Sequence, residues 1–438
     1  MLRRTGFSVF PAGNRNSGSF NNLGSNANFW TASENSSSNA YNRNFNTGAS
    51  MNSNNNNKTS NAYSVRLVKD SSEGTLTVPS IYPLLYRSYR QARKNKRNTK
   101  SQLKFELALE TNLLKLANEL VSRSYDLSPS VCFINETPVK REVVAADFRD
   151  RVVHHLLCSW LFPIFERQFI HDSYSCRKGK GTLLGINRVR GFLRAASADF
   201  HKDCWVLRLD VKGFFMSINK ALLYNLIIEG LNKAKWEGVP DIGLCDFLIK
   251  MIVFAMPLET AMFRSPPEAW DDLPKDKTLK YAGESKGLPI GNLTSQLFGN
   301  IYMNKLDQFV KRTLKIRYYG RYVDDMVLIS DNKEILIDAI DKIRQFLQNE
   351  LKLTLHPLKI NLQPAAYGFD FLGVHILPYR VYPGTRLRKN CKSAIQNPVP
   401  NLEKQKLRVG SYEGTFKHLN GTRKLQSLSM IQRRFNKL

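Results

Sequence analysis

From residue 78 onward, the spacing of apolar residues predicts several helices. Helical periodicity covers residues 101–122, where Leu103, Leu107, Leu113, Leu116 and Leu120 share one face. The same spacing recurs over residues 150–168 and in parts of 220–256. We therefore expect an amphipathic helix first, then another helix over residues 150–168, and helical runs within 220–256 that cover one face of the strands.

Two apolar runs of strand length interrupt the helical pattern, one over residues 204–209 and one over residues 321–330. Strands that alternate with helices predict an α+β fold containing a split β-α-β unit. Residues 270–287 are polar and contain proline, which indicates a loop. The last part, 380–438, is basic, and we expect it to be helical in places.

Residues 1–75 differ from the rest of the chain because Asn, Ser and Gly dominate them. Few aliphatic side chains are available to offset the ordering entropy, so composition favours a disordered leader. Aromatic residues nevertheless recur, among them Phe29, Trp30 and Tyr41, and residues 62–68 resemble a strand. A purely solvating tail would not need those aromatic side chains.

The composition indicates a basic protein with real hydrophobic cores. The chain has 438 residues, 42% of them apolar, and a formal net charge of +28. This excess favours a polyanionic partner, most simply nucleic acid, over a basic protein without one. The six cysteines form no Cys-x-x-Cys pair, which argues against a zinc module or a disulfide framework. No stretch is long and apolar enough to span a bilayer, so we expect a cytoplasmic location and no membrane partner.

Acidic residues stand where the strand-like runs end. Asp324 and Asp325 separate two apolar runs, which predicts a hairpin with both carboxylates at its tip, although Asp is also a common residue in structural turns. Asp210 ends the upstream run, 324 − 210 = 114 residues earlier, so only the fold can unite the three. Such an oxygen-rich site suits Mg²⁺. Two ions about 3.5–4 Å apart could activate a 3′-hydroxyl and stabilise a leaving pyrophosphate.

Seven further segments accompany these carboxylates in order, at residues 138–141, 148–155, 173–182, 287–296, 355–359, 371–374 and 411–418. With them, the chain resembles a reverse transcriptase over about residues 80–425. The resemblance implies an α+β right-hand polymerase with fingers, a split β-α-β palm and a small helical thumb. The expected boundaries are a leader at 1–75, fingers at 78–200, palm at 201–375 and thumb at 376–438.

The resemblance also implies roles for residues near the carboxylates. Asp210, Asp324 and Asp325 are the catalytic acids, and they bind two Mg²⁺ ions, or Mn²⁺ as the alternative metal, with help from the backbone of Val211. Phe215 matches a bulky aromatic residue that lies against the nucleotide sugar and excludes a 2′-hydroxyl. Its alternative is an aromatic residue of the core.

Basic residues match positions that contact phosphate. Lys140 and Arg141 correspond to residues that meet the incoming triphosphate, where a fixed positive charge neutralises phosphate. Lys359 matches a lysine proposed to protonate the leaving pyrophosphate, with a surface lysine as the alternative. Arg151 either contacts nucleic acid or forms a structural ion pair.

Two short segments resemble elements that hold the nucleic acid. The first is a Gly-rich basic turn in which three residues could bind phosphate, namely Arg177, Lys178 and Lys180. The second resembles the primer grip and consists of Phe371, Leu372 and Gly373.

The segment 287–296 points to a subclass. Most reverse transcriptases have Gln-Gly-x-x-x-Ser-Pro here, whereas this chain has Ile290 and Gly291 and ends in Ser295 and Gln296. This departure resembles the reverse transcriptases of diversity-generating retroelements. The resemblance implies that Ile290 and Gly291 lie at the nucleotide and that Ser295 and Gln296 contact nucleic acid. Gly291 would let the backbone approach the templating pair. An aliphatic Ile290 in place of an amide removes hydrogen bonds that would check pairing geometry. The resemblance implies that the resulting errors fall opposite template adenines.

That subclass suggests a second interpretation of the leader. Residues 29–34 and the Asn-rich sequence after them resemble the variable end of lectin-like proteins that such elements diversify, so the leader could be a template repeat translated in frame. The implied partners are template RNA, primer and complementary DNA, deoxynucleotides and a basic accessory protein oligomer. Two alternatives stay open: another bacterial reverse transcriptase (intron-encoded, retron or defence-associated), and a non-catalytic RNA-binding protein with a polymerase fold.

Overall fold

A computed structural model gives the fold of this chain. It describes residues 12–16, 19–23, 26–34, 36–46, 51–57, 61–62, 75–94, 99–136, 139–419, 430 and 433. The chain divides into two compact units, Met1–Glu73 and Gly74–Leu438.

The described residues of the first unit form strands. The strands are β1 Ala12–Asn16, β2 Ser19–Leu23, β3 Asn26–Glu34, β4 Asn39–Asn46, β5 Met51–Asn57 and β6 Asn61–Ala62. They pair in the order β2-β1-β3-β4-β5, with β6 also on β1. Backbone ladders thus pair the described residues of a segment whose composition favours a disordered leader. Of the strand expected over 62–68, residues 63–68 lie outside the described residues.

The second unit is α+β, as the sequence predicts. Its helices are α1 Val78–Arg93, α2 Lys100–Glu106, α3 Leu109–Val121, α4 Phe148–Glu166, α5 Thr182–Ala196, α6 Phe214–Ser217, α7 Lys220–Lys233, α8 Ile242–Val253, α9 Leu293–Gln308, α10 Lys333–Leu351, α11 Thr385–Gln396 and α12 Leu402–Lys417. Its strands are β7 Val131–Asn135, β8 Arg141–Ala145, β9 Trp205–Leu209, β10 Met262–Phe263, β11 Tyr318–Tyr322, β12 Asp325–Ser330, β13 Asn361–Pro364, β14 Phe369–Phe371, β15 Val374–Leu377 and β16 Arg380–Pro383.

The central sheet has the order β11-β12-β9-β13 and is antiparallel throughout. Its side chains alternate between two hydrophobic cores. Leu207 and Leu328 point into the larger core, whereas Val206 and Val327 point into the smaller one. Because both faces are covered, the strands have continuous apolar runs rather than a clean alternation of polar and apolar residues.

Each core is built from a different set of elements. Helices α4, α9 and α10 contribute to the larger core, and α4 is buried around most of its circumference. The smaller core combines α5 with the sheet β14-β15-β16 and helices α11 and α12. None of the helices in the described part of the chain is both long and apolar enough to cross a bilayer.

The helix expected over residues 101–122 is divided. Leu107, which the periodicity placed on the apolar face, is 88% exposed, and Ala108 leaves the helical conformation with φ of −134°. The Asn112 side-chain amide donates to the Phe105 carbonyl at 2.9 Å, which satisfies an oxygen at the end of α2. The break lets both Phe105 and Leu113 reach the core.

A small sheet crosses the expected boundary at residue 200. Its order is β10-β7-β8, and β10 comes from the region assigned to the palm. The loop expected over 270–287 is confirmed as a run of turns with short 3₁₀ segments. Glu142 on β8 accepts hydrogen bonds from the Trp270 side chain, the Thr278 hydroxyl and the Leu279 amide, so it fastens this loop to the small sheet.

Two helical glycines give a matched test of this packing. A Cβ added to Gly230 in α7 would collide with the ring of Phe165 in α4, whereas a Cβ at Gly191 in α5 meets nothing within 4 Å. We expect Gly230→Ala to lower the free energy of unfolding by about 1–3 kcal/mol because the core is overpacked. Gly191→Ala should raise it by up to about 1 kcal/mol. Urea denaturation checks both values, and equal effects would contradict the packing of α7 on α4.

Candidate active site

The Asp-Asp pair lies at the predicted hairpin. Strands β11 and β12 pair from Tyr318 and Ile329 to Tyr322 and Asp325. Val323 and Asp324 form the turn, and Val323 has φ of 56°. A β-branched residue is rarely found in this left-handed region, so the turn needs support from its surroundings.

The register of the central sheet brings the third carboxylate to the same edge. Met326 on β12 pairs with Leu209 on β9. Asp325 directly precedes Met326 and Asp210 directly follows Leu209, so antiparallel pairing sets both acidic residues at one end of the two strands. The long-range union expected from the sequence is therefore a consequence of this register.

A basic side chain accompanies the carboxylates. The backbone amide of His356 donates to the Asp210 carbonyl at 2.8 Å, and the Lys212 amide donates to the Thr354 carbonyl at 2.9 Å. This pairing carries Lys359 to Asp210, where its Nζ lies 2.6 Å from Oδ2. Burial alone would lower the pKa of Lys359, but the hydrogen bond and charge of Asp210 raise it above the ordinary lysine value.

Burial and like charges raise the carboxylate pKa values. Desolvation, followed by the charges of Asp325 and Asp210, raises the pKa of Asp324 to about 7. The pKa of Asp325 is also raised, by desolvation and then by Asp210. Carboxylates with raised pKa values are typical of a site that binds a cation, because a bound cation would favour their ionised forms.

The donor set fits a hard divalent ion. Asp210, Asp324 and Asp325 offer carboxylate oxygens at one sheet edge, which is the chemistry Mg²⁺ prefers. Among the described residues, no three Asp, Glu, His or Cys side chains are gathered as a metal cluster, and Asp210 is engaged by Lys359. Substrate phosphates would supply the remaining oxygens, as is usual for Mg²⁺.

A cleft of about 1250 Å³ opens above the carboxylates. Predicted site residues that line it are Arg141, Asp210, Asp324, Asp325, Lys359, Phe371, Leu372 and Gly373. Leu372 and Gly373 have φ of 49° and 84°, and they form the two-residue turn between β14 and β15. The structure thus brings the expected triphosphate contact, the acids and the primer-grip residues into one space.

Sequence reasoning missed several basic residues of this cleft. Arg208, Arg386 and Lys389 line it. Arg208 is two residues before Asp210, and period-2 alternation along the strand could have indicated that both face the same side. Arg386 and Lys389 are three residues apart in α11, a spacing that puts both on one helix face.

Other predicted nucleotide contacts lie beside the cleft rather than in its lining. Lys140 is 3.9 Å from the exposed carboxylate of Asp272. Val211 is buried, and its backbone pairs with that of Leu355. Phe215 packs against Phe214 with ring centroids 5.1 Å apart, which agrees with the core alternative as well as with the expected role.

The distinctive segment 287–296 is attached to β8. The Ile290 carbonyl accepts from the Val144 amide at 2.9 Å, and Ile290 is half-buried. Gly291 has φ of 125°, and a Cβ there would lie 3.0 Å from the Val143 side chain. The backbone at Gly291 thus lies close to β8, two residues beyond Arg141, and its expected approach to the templating pair stays a prediction.

Three residues that we expect to contact nucleic acid are bonded to other parts of the protein or buried in it. Arg177 binds the Glu166 carboxylate through Nε and Nη2, and its side chain is only 4% exposed. Arg151 donates to the Ala146 carbonyl at 2.9 Å, and Ser295 is buried at 3% exposure. These placements give Arg151 and Arg177 structural contacts and bury Ser295, and the nucleic-acid contacts expected of all three stay predictions.

The other three nucleic-acid predictions lie nearer the surface. Lys178 and Gln296 are exposed, while Lys180 is half-buried and donates to the His171 carbonyl at 3.1 Å. Their proposed contacts with nucleic acid stay predictions.

Comparisons with known proteins identify similar sequences. The family described as reverse transcriptase (RNA-dependent DNA polymerase) matches residues 139–376, more than half of the chain. Protein YkfC of Escherichia coli is 24% identical over 315 residues, covering 64% of this chain and 74% of that protein. A putative COX1/OXI3 intron 2 protein of Saccharomyces cerevisiae is 21% identical over 302 residues, which cover 55% of this chain and 31% of that protein.

Solved structures of telomerase from Candida tropicalis are also similar. The apo form has a TM-score of 0.44 and 12% identity, with 70% of this chain and 58% of that chain covered. A form truncated from the C-terminal domain has a TM-score of 0.42 and 12% identity, with 61% of this chain and 59% of that chain covered. The match thus spans less than two thirds of either telomerase chain.

The raised pKa of Asp324 predicts a pH-dependent stability difference. In the unfolded chain this carboxyl ionises near the ordinary value of about 4, whereas in the folded protein it ionises near pH 7. The wild type should therefore lose stability as pH rises from 4 through 7. Asp324→Asn has no carboxyl to ionise at this position, so it should not lose this stability. Its free energy of unfolding should equal that of the wild type near pH 4 and exceed it by roughly 2 kcal/mol at pH 8, after discounting for solvent screening.

Denaturant unfolding with a metal chelator present, at pH 5 and pH 8, measures that difference. Asp331→Asn, at the exposed far end of β12, is the matched control and should show little pH dependence relative to the wild type. If Asp324→Asn stabilised the protein equally at both pH values, the raised pKa of Asp324 would be contradicted.

Proposed function

The chain belongs to the reverse transcriptase (RNA-dependent DNA polymerase) family, and we propose that it copies an RNA template into DNA with its own carboxylate site. The observation that carries this proposal is the union of Asp210, Asp324 and Asp325 in one cleft with basic walls. In the proposed assignment residues 78–200 are fingers, 201–375 palm and 376–438 thumb. The strand β10 then joins the fingers sheet from the palm sequence.

Each side of the cleft has a proposed task. Arg141 holds the triphosphate of an incoming nucleotide, since guanidinium groups bind phosphate oxygens with several donors. The turn at Leu372 and Gly373 supports the primer end, while Arg386 and Lys389 neutralise backbone phosphates. Asp210, Asp324 and Asp325 would hold two divalent ions, and such ions would supply activation of the 3′-hydroxyl and stabilisation of the pyrophosphate.

Lys359 would change partners during this reaction. Its ammonium group neutralises Asp210 in the structure, at 2.6 Å. Because the Lys359 side chain is 55% exposed, it would be able to turn from Asp210 toward the leaving pyrophosphate and donate a proton to it. We keep the acid role of Lys359 as part of the proposal.

A finer proposal concerns fidelity. The segment 287–296 resembles that of diversity-generating retroelements, and the structure fastens Ile290 to the strand that carries Arg141. An aliphatic side chain there fills space without hydrogen-bonding a mispaired base. We therefore propose error-prone synthesis opposite template adenines, serving targeted diversification of a protein. Another bacterial reverse transcriptase is the alternative, and the yeast relative's name makes an intron-encoded one the specific case.

Other parts of that finer proposal concern the leader and the partners. We propose that residues 1–75 are a translated template repeat similar to the variable end of a lectin-like protein. The described strands β3 and β4 fall in this segment, including Phe29, Trp30 and Tyr41. Template RNA, primer and a basic accessory protein oligomer are the proposed partners, in keeping with the charge of +28.

Primer extension on a defined RNA with deoxynucleotides and Mg²⁺ tests the catalytic proposal. Asp324→Asn and Asp210→Asn should each lower the rate at least about 1000-fold, because oxygen donors for the ions are lost. Asp331→Asn should retain wild-type activity. A wild-type protein that binds RNA without Asp324-dependent synthesis would favour the non-catalytic RNA-binding alternative.

Sequencing the complementary DNA tests the finer proposal. Wild type should misincorporate mainly opposite template adenines, Ile290→Leu should keep that spectrum, and Ile290→Gln should reduce those errors about tenfold because an amide can again hydrogen-bond. Errors spread evenly over the four template bases in wild type would remove the proposed subclass. An unchanged spectrum in Ile290→Gln would remove the role of Ile290.

A further inference from the structure

Arg321, three residues before the first carboxylate of the catalytic turn, is a fully buried cation. Its exposure is 0%, and it ranks first by volume among the fully buried side chains of the described residues. A guanidinium without water must be paired and hydrogen-bonded, because an isolated buried charge is very costly. The partners of the Arg321 guanidinium therefore show which parts of the protein this side chain holds together.

The main partner is Asp307 on α9, which is itself fully buried. Arg321 Nε lies 2.7 Å from Asp307 Oδ1, and Nη2 lies 2.6 Å from Oδ2, which is a bidentate pair. The Tyr319 hydroxyl donates to Asp307 Oδ1 at 2.7 Å. The ion pair thus joins strand β11 to helix α9 in one fixed geometry.

The remaining nitrogen of the guanidinium reaches the catalytic turn. Arg321 Nη1 donates to the Val323 carbonyl at 2.7 Å. Val323 is the residue with φ of 56°, and Asp324 and Asp325 follow it. A disfavoured backbone conformation persists only where its surroundings enforce it. The hydrogen bond from Arg321 supplies such enforcement directly beneath the carboxylates.

Arg321 also connects the turn to the segment 172–175. Its Nη2 donates to the Ser173 hydroxyl at 3.2 Å, its amide donates to the Asp172 carbonyl at 2.9 Å, and its carbonyl accepts from the Tyr174 amide at 2.9 Å. Asn300 on α9 donates to the Ser175 carbonyl at 2.8 Å. The Arg321 side chain therefore links the catalytic turn, helix α9 and the segment 172–175, which belongs to the proposed fingers.

We propose that Arg321, anchored by Asp307, is a positioning residue that sets the backbone of the carboxylate turn for catalysis. This inference rests on the proposed polymerase function. Arg321 is fully buried and is not among the residues that line the cleft, so it would act through the Val323 carbonyl. A shift of about 1 Å at Asp324 would lower the rate about 100-fold, whereas nucleotide binding at Arg141 is left intact.

Two variants separate positioning from stability. Arg321→Lys keeps a positive charge for Asp307, but one ammonium group cannot reproduce the planar fork that serves Asp307 and Val323 together. Arg321→Met/Asp307→Asn removes the buried charges while leaving Tyr319 an acceptor, so it should fold. Both should lower kcat about 100-fold, equivalent to about 2.7 kcal/mol, with KM for the deoxynucleotide changed less than about threefold.

The matched control is a second ion pair with a buried carboxylate. Arg123 lies 3.0 Å from Asp241, whose side chain is 2% exposed, and the pair joins the end of α3 to the start of α8. Arg123→Met should lower the melting temperature but leave kcat within about twofold of wild type when assayed well below that temperature. Circular dichroism melts accompany each kinetic measurement.

The outcomes divide clearly. Wild-type kcat in either Arg321 variant, or an equal kcat loss in Arg123→Met at matched fractional folding, would overturn the positioning role while the polymerase function stands. A loss seen mainly in KM would also overturn it, because the turn would then affect nucleotide binding. Absence of Asp324-dependent synthesis in the wild type would instead remove the proposed function itself.

Discussion

Mutual repulsion among three carboxylates is the constraint on which the rest of this structure depends. Asp210, Asp324 and Asp325 share one sheet edge, where desolvation first, and then the charges of Asp325 and Asp210, raise the pKa of Asp324 to about 7. Nothing in their own interaction holds them together, since like charges disfavour the ionised forms. The backbone hydrogen bonds between β9 and β12 hold the carboxylates at one sheet edge despite their repulsion, because those hydrogen bonds do not depend on side-chain charge.

The surroundings of the sheet make that ladder rigid. Side chains of β9 and β12 enter two hydrophobic cores, so a shift of register would expose both sets at once. Beneath the turn, Arg321 and Asp307 replace hydrophobic packing with a bidentate ion pair. That pair has directional donors, and a directional contact can fix one carbonyl, that of Val323, where apolar packing alone could not.

Positive charge completes the balance around the site. Lys359 neutralises Asp210, and Arg208, Arg386 and Lys389 line the same cleft. Some of the positive charge that makes up the net charge of +28 therefore lies in the cleft, beside the carboxylates. A polyanionic substrate and its cations would meet both signs of charge in one space. This arrangement links the composition of the chain to the proposed chemistry.

The sequence by itself determined the α+β fold, the hairpin at Asp324 and the family, because local periodicity and ordered motifs report short-range preferences. It did not show that Arg177 is committed to Glu166, or that Leu107 is exposed at a helix break. Nor did it show the pairing of Arg321 with Asp307. Such partners depend on strand register and helix packing, which bring distant residues together through contacts that a linear pattern does not encode. Only the tertiary structure decided which charges face the cleft and which hold the protein together.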